Sequence, residues 1–410
     1  MICRNCGAAL ELTMVDLGTC PPSNSYLSSE ALDAPEKWYP LRVMVCTGCW
    51  LAQTVDFVDR EDCFSSTYAY FSSCSASWVE HARSYAEAMI KRLGLGSTSQ
   101  VVELAANDGY LLQHFSARGI PCYGIEPTES TADVARGKGL EIVGLFFGLE
   151  VAGRLAQERG RVDLLAANNV FAHVPDIRDF AGGIFELLAP RGVATIEFPH
   201  LLQLIEKNYF DTIYHEHFSY LSLHAVAKIL GSVGLEIFDV EELSTHGGSL
   251  RVFARRKDGV PRTRTVSVAD FLKKEKAAGI LNPDFYRSFS PCVERVKDDF
   301  LEFLLHLKRE GKSIAAYGAA AKGNTLLNYS GVRRDLLPFV VDRSPGKIGT
   351  YLPGSRIPVF EEEALRKAKP DYVLILPWNL REEIQAQLSY VREWGAQFVV
   401  AVPHLETFAP

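Results

Sequence analysis

From residue 101 the chain alternates between short apolar runs and amphipathic stretches, and this alternation restricts the fold more than any other feature. "VVELAANDGYLLQHF" reads as a strand, a polar turn and a helix. "CYGIEPT" is a second strand that closes on an acid, Glu126. "LEIV" is a third, and "VDLLAANNVFAHV" a fourth with a polar end. "FAGGIFELLAPRGVATIEFP" adds a helix, a Pro-Arg-Gly turn and a fifth strand. Strands that alternate with helices build a doubly wound parallel sheet, so the expected fold class is α/β. Ligands of such sheets bind beyond the carboxyl ends of the strands.

The first turn narrows the ligand. A dinucleotide-binding turn carries G-x-G-x-x-G, whereas this one has only Gly109. Glu103 ends the strand, Ala105 follows it, and Asn107, Asp108 and Gly109 form the turn. Glu126 stands at the end of strand two, where a carboxylate can bind both hydroxyls of a ribose. Asn168 and Asn169 mark the end of strand four. A turn that is acidic and built of small residues, with no phosphate cradle, suits a ligand carrying an ammonium and a sulfonium. That ligand is S-adenosylmethionine (SAM). The three turns in register resemble the class I methyltransferase fold.

The N-terminal stretch has a different logic. Cys3 and Cys6 in "CRNCG" and Cys46 and Cys49 in "CTGCW" form two C-x-x-C pairs. No run of 18 apolar residues occurs, and the start lacks the basic-then-apolar order of a signal peptide. A cytoplasmic protein is expected, where disulfides are rare. The pairs therefore read as one structural zinc site, since four thiolates leave no open position for catalysis. A formal net charge of −7 argues against a nucleic-acid partner. No membrane association is expected, and the sequence leaves the oligomeric state open, a monomer included.

After the charged stretch "RRKDGVPRTRTVSV", helical patterns near 268–279 and 291–310 lead into "SIAAYGAAAKGNTLLNYSG", a strand, a turn and a helix. "PFVVDRSP" and "DYVLILPWN" are further strands, so a second α/β unit follows. Lys322 near the helix start is placed to hold an anion. The expected regions are a zinc-binding domain at 1–66, a methyltransferase domain at 67–255 and a second Rossmann-like unit at 256–410.

Within the methyltransferase domain lies "YHEHFSYLSL" at 214–223, which puts a phenol, a carboxylate and imidazoles side by side. With the cysteine pairs, "TYAYFSSCSASW" at 67–78, "HGGSLRVF" at 246–253 and "YGAAAKGNTLLNY" at 317–329, the whole chain resembles the sugar C-methyltransferases, which act on nucleotide-linked keto-deoxysugars. The resemblance implies a reaction centre at Tyr214, Glu216 and His217. It also implies a cofactor contact at Tyr68 and substrate contacts at Tyr70, Ser72, Ser73, His173, Arg251, Tyr317, Lys322, Asn324 and Asp342. The substrate it implies is a TDP-linked 4-keto-deoxysugar, methylated at C3. His215, between the tyrosine and the glutamate, is given no chemical step, and His246 and Arg251 flank a glycine pair that either shapes the active-site floor or simply connects strands.

The chemistry agrees with that set. A sugar carbon becomes nucleophilic only as an enolate next to a ketone. Such a site needs a base and a donor for the developing oxyanion. His217 is the candidate base, with Glu216 either orienting it or serving as the base itself. Tyr214 is the oxyanion donor. The alternatives are an O- or N-methyltransferase, which needs no enolate, or an inactive zinc-containing scaffold.

Overall fold

The computed structural model describes residues 1–55 and 71–409; Tyr68 and Tyr70 lie outside the described residues. The N-terminal strands β1 (Leu12–Cys20), β2 (Tyr39–Val45) and β3 (Ala52–Thr54) form an antiparallel meander. The first cysteine pair precedes β1, and the second occupies the turn between β2 and β3.

The central sheet contains β4 (Val101–Leu104), β5 (Cys122–Ile125), β6 (Ile142–Val143), β7 (Val162–Asn168) and β8 (Leu188–Pro199), all parallel. The strand β9 (Ser219–Tyr220) leaves this sheet altogether, and β10 (Leu235–Leu243) and β11 (Ser249–Arg256) return to it. The order is β10-β11-β8-β7-β4-β5-β6, with β11 antiparallel to both neighbours. Side chains alternate between the two faces of each strand. Val101, Leu164, Ala166 and Val193 pack against the helix Ala76–Leu93 on one face. Val102, Leu165, Ala167 and Ala194 pack on the other, against the helices Leu149–Arg159 and Ile177–Leu187. Both faces are therefore apolar, as a doubly wound parallel sheet requires. The helix expected after the first turn is shorter than its pattern suggests, spanning only Leu112–Ser116.

A third sheet of order β14-β13-β12-β15-β16-β17 makes the C-terminal unit. Its strands are β12 (Ile314–Tyr317), β13 (Val340–Val341), β14 (Val359–Phe360), β15 (Tyr372–Ile375), β16 (Gln397–Val400) and β17 (Glu406–Phe408). Only β17 runs antiparallel.

The three regions are not separate bodies. Met14, Leu17 and Val43 of the N-terminal sheet share one core with Phe300, Leu326 and Val340 of the C-terminal unit. The helix Val266–Ala278 follows the linker, yet packs Val268, Phe271 and Leu272 on the central core. Its Glu275 accepts hydrogen bonds from His200 Nε2 at 2.7 Å and His224 Nδ1 at 2.6 Å. Strand β9 joins the N-terminal sheet as its fourth member, pairing Gln53 with Ser219 and Ala52 with Tyr220. Among the described residues, no helix is long and apolar enough to cross a membrane.

Candidate active site

A cavity of about 1330 Å³ opens at the carboxyl ends of the central strands and extends to the C-terminal unit. Its lining includes Ser72, Ala105, Asn107, Glu126, Asn168, Asn169, His173, Tyr214, Glu216, His217 and Lys322, residues drawn from widely separated parts of the sequence.

The edge formed by β4, β5 and β7 holds its shape through strained backbone. Ala105, Asn107 and Asn169 take φ of 56°, 48° and 54°, left-handed values that a residue with a Cβ adopts at a cost. Glu126 is buried, and its carboxylate accepts from Asn107 N at 2.9 Å and Thr128 N at 2.8 Å. Burial raises its pKa, and the two backbone donors oppose that rise. A carboxylate has about four acceptor positions, so capacity for two hydroxyls remains. Asn168 Oδ1 and both amide atoms of Asn169 are buried without protein partners among the described residues. These orphaned groups fit a ligand rich in hydroxyls and amines, and they fit SAM.

Some expected cofactor residues act from behind. Glu103 is buried in β4 outside the lining, with its pKa pushed well up by burial and then by Glu126. Asp108 accepts from Ser73 N at 3.2 Å, and Lys138 Nζ lies 3.8 Å from the same oxygen. Asn107 Oδ1 accepts from Ser72 N at 2.9 Å, so the first turn anchors residues 72–73. Gly109 also stays outside the lining and serves packing. Its φ is +78°, and a Cβ there would come within 2.3 Å of Leu140 Cδ1.

The stretch 212–217 builds the centre of the cavity. His217 Nδ1 donates to the Thr212 carbonyl at 2.7 Å. A carbonyl only accepts, so Nδ1 carries the proton and the neutral ring keeps its lone pair on Nε2. Burial, then the neighbouring His173 and Lys322, hold the His217 pKa well below the ordinary histidine value. Tyr214 lies across the ring at 3.9 Å between centroids, and His173 meets its edge at 4.6 Å. His173 Nδ1 donates to the Glu216 carbonyl at 2.8 Å, and burial lowers its pKa to about 4.

Glu216 does not orient His217, contrary to the expectation from the sequence. Its Oε1 accepts from Asn24 N at 3.2 Å and Asn24 Nδ2 at 3.1 Å, while Oε2 has no partner among the described residues. Adjacent residues in this turn point their side chains to different neighbours, so the Thr212 carbonyl takes the place expected for the carboxylate. His215 faces away and donates through Nε2 to the Pro40 carbonyl at 3.2 Å.

At the C-terminal edge, Lys322 Nζ donates to Asn379 Oδ1 at 2.5 Å and lies 4.5 Å from the Trp378 ring centroid. Desolvation lowers its pKa, and Asp211 acts in the opposite direction. Asp342 takes a supporting place outside the lining, where Oδ2 accepts from Ala319 N at 2.7 Å and Oδ1 from Ser344 N at 2.8 Å. Asn324 Nδ2 is committed to the Ser23 carbonyl at 2.7 Å, and Tyr317 receives Gln387 Nε2. Arg251 is spent on Glu197 and Glu241, at 2.7 and 2.9 Å. None of these three lines the cavity. His246 does line it, with φ of 53° and a pKa lowered to about 4 by burial and then by Lys322.

Sequence reasoning missed several lining residues: Asn24, Trp78, His81, Lys347 and Trp378. Lys347 Nζ donates to the Ala319 carbonyl at 2.9 Å. His81 Nε2 donates to the buried Glu197 at 2.9 Å and stacks on Trp78 at 4.9 Å. "PPSNSYL" around Asn24 carries no motif, so only the packing of three regions could reveal it.

The four cysteines also meet. The Sγ atoms of Cys3 and Cys49 lie 3.4 Å apart, those of Cys6 and Cys46 3.5 Å, and all four fall within 4.8 Å of one another. A tetrahedral zinc with Zn–S near 2.3 Å sets sulfur separations of about 3.8 Å, so the cluster fits the ion. The thiols pack beside the central core, away from the cavity.

Three family models match in succession. A zinc binding domain covers residues 3–64, a methyltransferase domain 78–240 and a C-methyltransferase C-terminal domain 244–403. The C-methyltransferase NovU of Streptomyces niveus is 36% identical over 401 residues, covering 98% of this chain and 95% of its own. The chain belongs to this C-methyltransferase family. As a SAM-dependent C-methyltransferase it carries the methyltransferase domain and the four-cysteine zinc-binding domain in one chain. Solved structures align with part of it. A SAM-dependent methyltransferase from Clostridium acetobutylicum has 10% identity and a TM-score of 0.35, covering 43% of this chain and 92% of that one. The magnesium protoporphyrin IX methyltransferase ChlM from Synechocystis has 17% identity and a TM-score of 0.35, covering 43% and 83%.

Proposed function

We propose that this C-methyltransferase acts on a nucleotide-linked 4-keto-deoxysugar, TDP-linked in the first instance, and methylates the carbon next to the ketone, C3. One observation carries the reading: a neutral imidazole with a lone pair on Nε2 stands beside a phenol in the cavity that also holds the SAM edge. SAM supplies a methyl group already activated on a sulfonium, so the protein's task is to make the sugar carbon nucleophilic. His217 Nε2 takes the α-proton, and the C–H electron pair passes into the ketone as an enolate. The Tyr214 hydroxyl donates to the enolate oxygen. Glu216, whose Oε2 has no partner among the described residues and whose pKa burial raises, lines the same cavity and is the second proton acceptor.

Lys322 and Lys347 at the far edge suit a diphosphate, so residues 256–410 are assigned the nucleotide portion. The Tyr68, Tyr70, Ser72 and Ser73 segment is assigned to the boundary between cofactor and sugar. The proposed setting is deoxysugar biosynthesis in the cytoplasm, whose reducing conditions keep thiols available for zinc. Incubation with SAM and a panel of TDP-, GDP- and CDP-linked 4-keto sugars should give a mass gain of one methyl group. Deuterium exchange at the α-carbon without SAM should accompany it. Methyl gain without such exchange would point instead to O- or N-methylation.

A further inference from the structure

The segment that follows β1 crosses from the N-terminal sheet to the C-terminal unit. The Ser23 carbonyl accepts from Asn324, the Tyr26 hydroxyl donates to the Ala319 carbonyl, and Leu27 bridges to Tyr351. Between these anchors Asn24 lies against Glu216, and its backbone N–H and side-chain amide both donate to Oε1. Two residues 192 positions apart in the chain are thereby joined at the wall of the cavity, and both line it.

Glu216 occupies a place hostile to charge. It is 1% exposed. The titratable groups near it are the Cys20 thiol at the end of β1 and the Tyr220 phenol on β9, with His173 on its backbone carbonyl and His217 next in sequence. Among the described residues, Asn24 is the side chain that donates to its carboxylate. Burial raises the Glu216 pKa, while the Asn24 backbone and amide, with backbone groups at Ser23 and Glu216, oppose it. An amide donor favours the ionised form and fixes which oxygen is engaged.

We infer that Asn24, supplied by the N-terminal domain, is a positioning residue of the active site that fixes the Glu216 carboxylate in one orientation at the cavity wall through its Oε1. The inference rests on the reading of Glu216 as a proton-accepting group of the C-methylation. It also gives the N-terminal domain a part in the site, because Asn24 and Glu216 both line the cavity.

The test uses the full chain with its metal, in wild-type, Asn24→Ala, Asn24→Ser and Glu216→Gln forms, each checked for fold by circular dichroism. Infrared difference titration reads the Glu216 carboxyl, assigned by the band that Glu216→Gln removes. Its midpoint should move to higher pH in Asn24→Ala, because a donor to the charged form is gone, and Asn24→Ser should lie between. With a TDP-4-keto sugar, α-deuterium exchange at neutral pH should fall roughly tenfold in Asn24→Ala, the loss expected for one hydrogen bond to a charged group. Its pH profile should shift in the same direction as the band. An unchanged midpoint in both folded variants overturns the inference. A shifted midpoint with no exchange in the wild type keeps Asn24 in its place and removes the sugar reading instead.

Discussion

At the residue scale, His217 shows how one hydrogen bond selects a chemical role. The Thr212 carbonyl fixes the proton on Nδ1, so Nε2 is the atom that can accept a proton. His217→Asn keeps size and polarity but cannot take up a proton near neutral pH. Turnover should fall by about 10²–10⁴-fold, the range for losing a general base, with SAM affinity by calorimetry close to wild type. If Glu216→Gln abolishes α-exchange and His217→Asn does not, the carboxylate is the base. His246 offers a stability measurement. Its folded pKa near 4 lies below the unfolded value near 6.5, so the unfolded chain binds the proton first as pH falls. The native state is therefore penalised below about pH 6.5, and the penalty stops growing below about pH 4. His246→Asn, which tolerates the left-handed backbone, removes that term. Relative to its value at pH 7, wild-type stability at pH 5 should drop by about 2 kcal/mol more than that of the variant in denaturant titrations.

At the element scale, the turn after β4 is set by steric fit as much as by ligand chemistry. Gly109 combines φ of +78° with a Cβ position blocked by Leu140 and Ala135. Gly109→Ala should cost about 2–4 kcal/mol, from left-handed strain together with overpacking, read as a lowered denaturation midpoint. The same turn explains why the acidic residues expected at the cofactor divide in two. Glu126 ends its strand at the cavity, whereas Glu103, one strand over, points into the sheet and is covered. Position along the strand decides that: Glu103 pairs with Gly124 inside the sheet, whereas Glu126 stands just beyond the end of β5, and a strand of four residues gives too little pattern to place its end from sequence.

At the scale of the whole molecule, the zinc-binding domain is joined to the 214–217 stretch through the backbone. The knuckle Cys46–Cys49 leads into β3, and β3 pairs with β9 two residues beyond His217. Arg4, between the first two cysteines, donates to the Phe218 carbonyl, and Thr54 Oγ1 donates to the His217 carbonyl at 3.2 Å. Cys46→Ser should abolish zinc, from about one per chain to near none by metal analysis. It should also loosen the N-terminal sheet, seen as faster amide exchange in β2 and β3. Retention of stoichiometric zinc in that variant would show that Cys46 is not a ligand.

What the sequence determined by itself is what local pattern carries: the α/β class, the order of the strands around the first turn, the C-x-x-C pairs and the polar cluster at 214–217. Each follows from periodicity, or from side chains a few residues apart, which chain geometry alone brings together. The tertiary structure decided the partners. It placed β9 in the N-terminal sheet, gave Glu216 to Asn24 and His217 to Thr212, and spent Arg251 on Glu197. It also kept Asn324, Tyr317 and Asp342 out of the cavity lining while bringing Lys347, Trp378 and His81 into it. Those outcomes depend on how three regions share their cores. A buried polar group must find a partner wherever packing puts one within reach, and sequence distance says nothing of that.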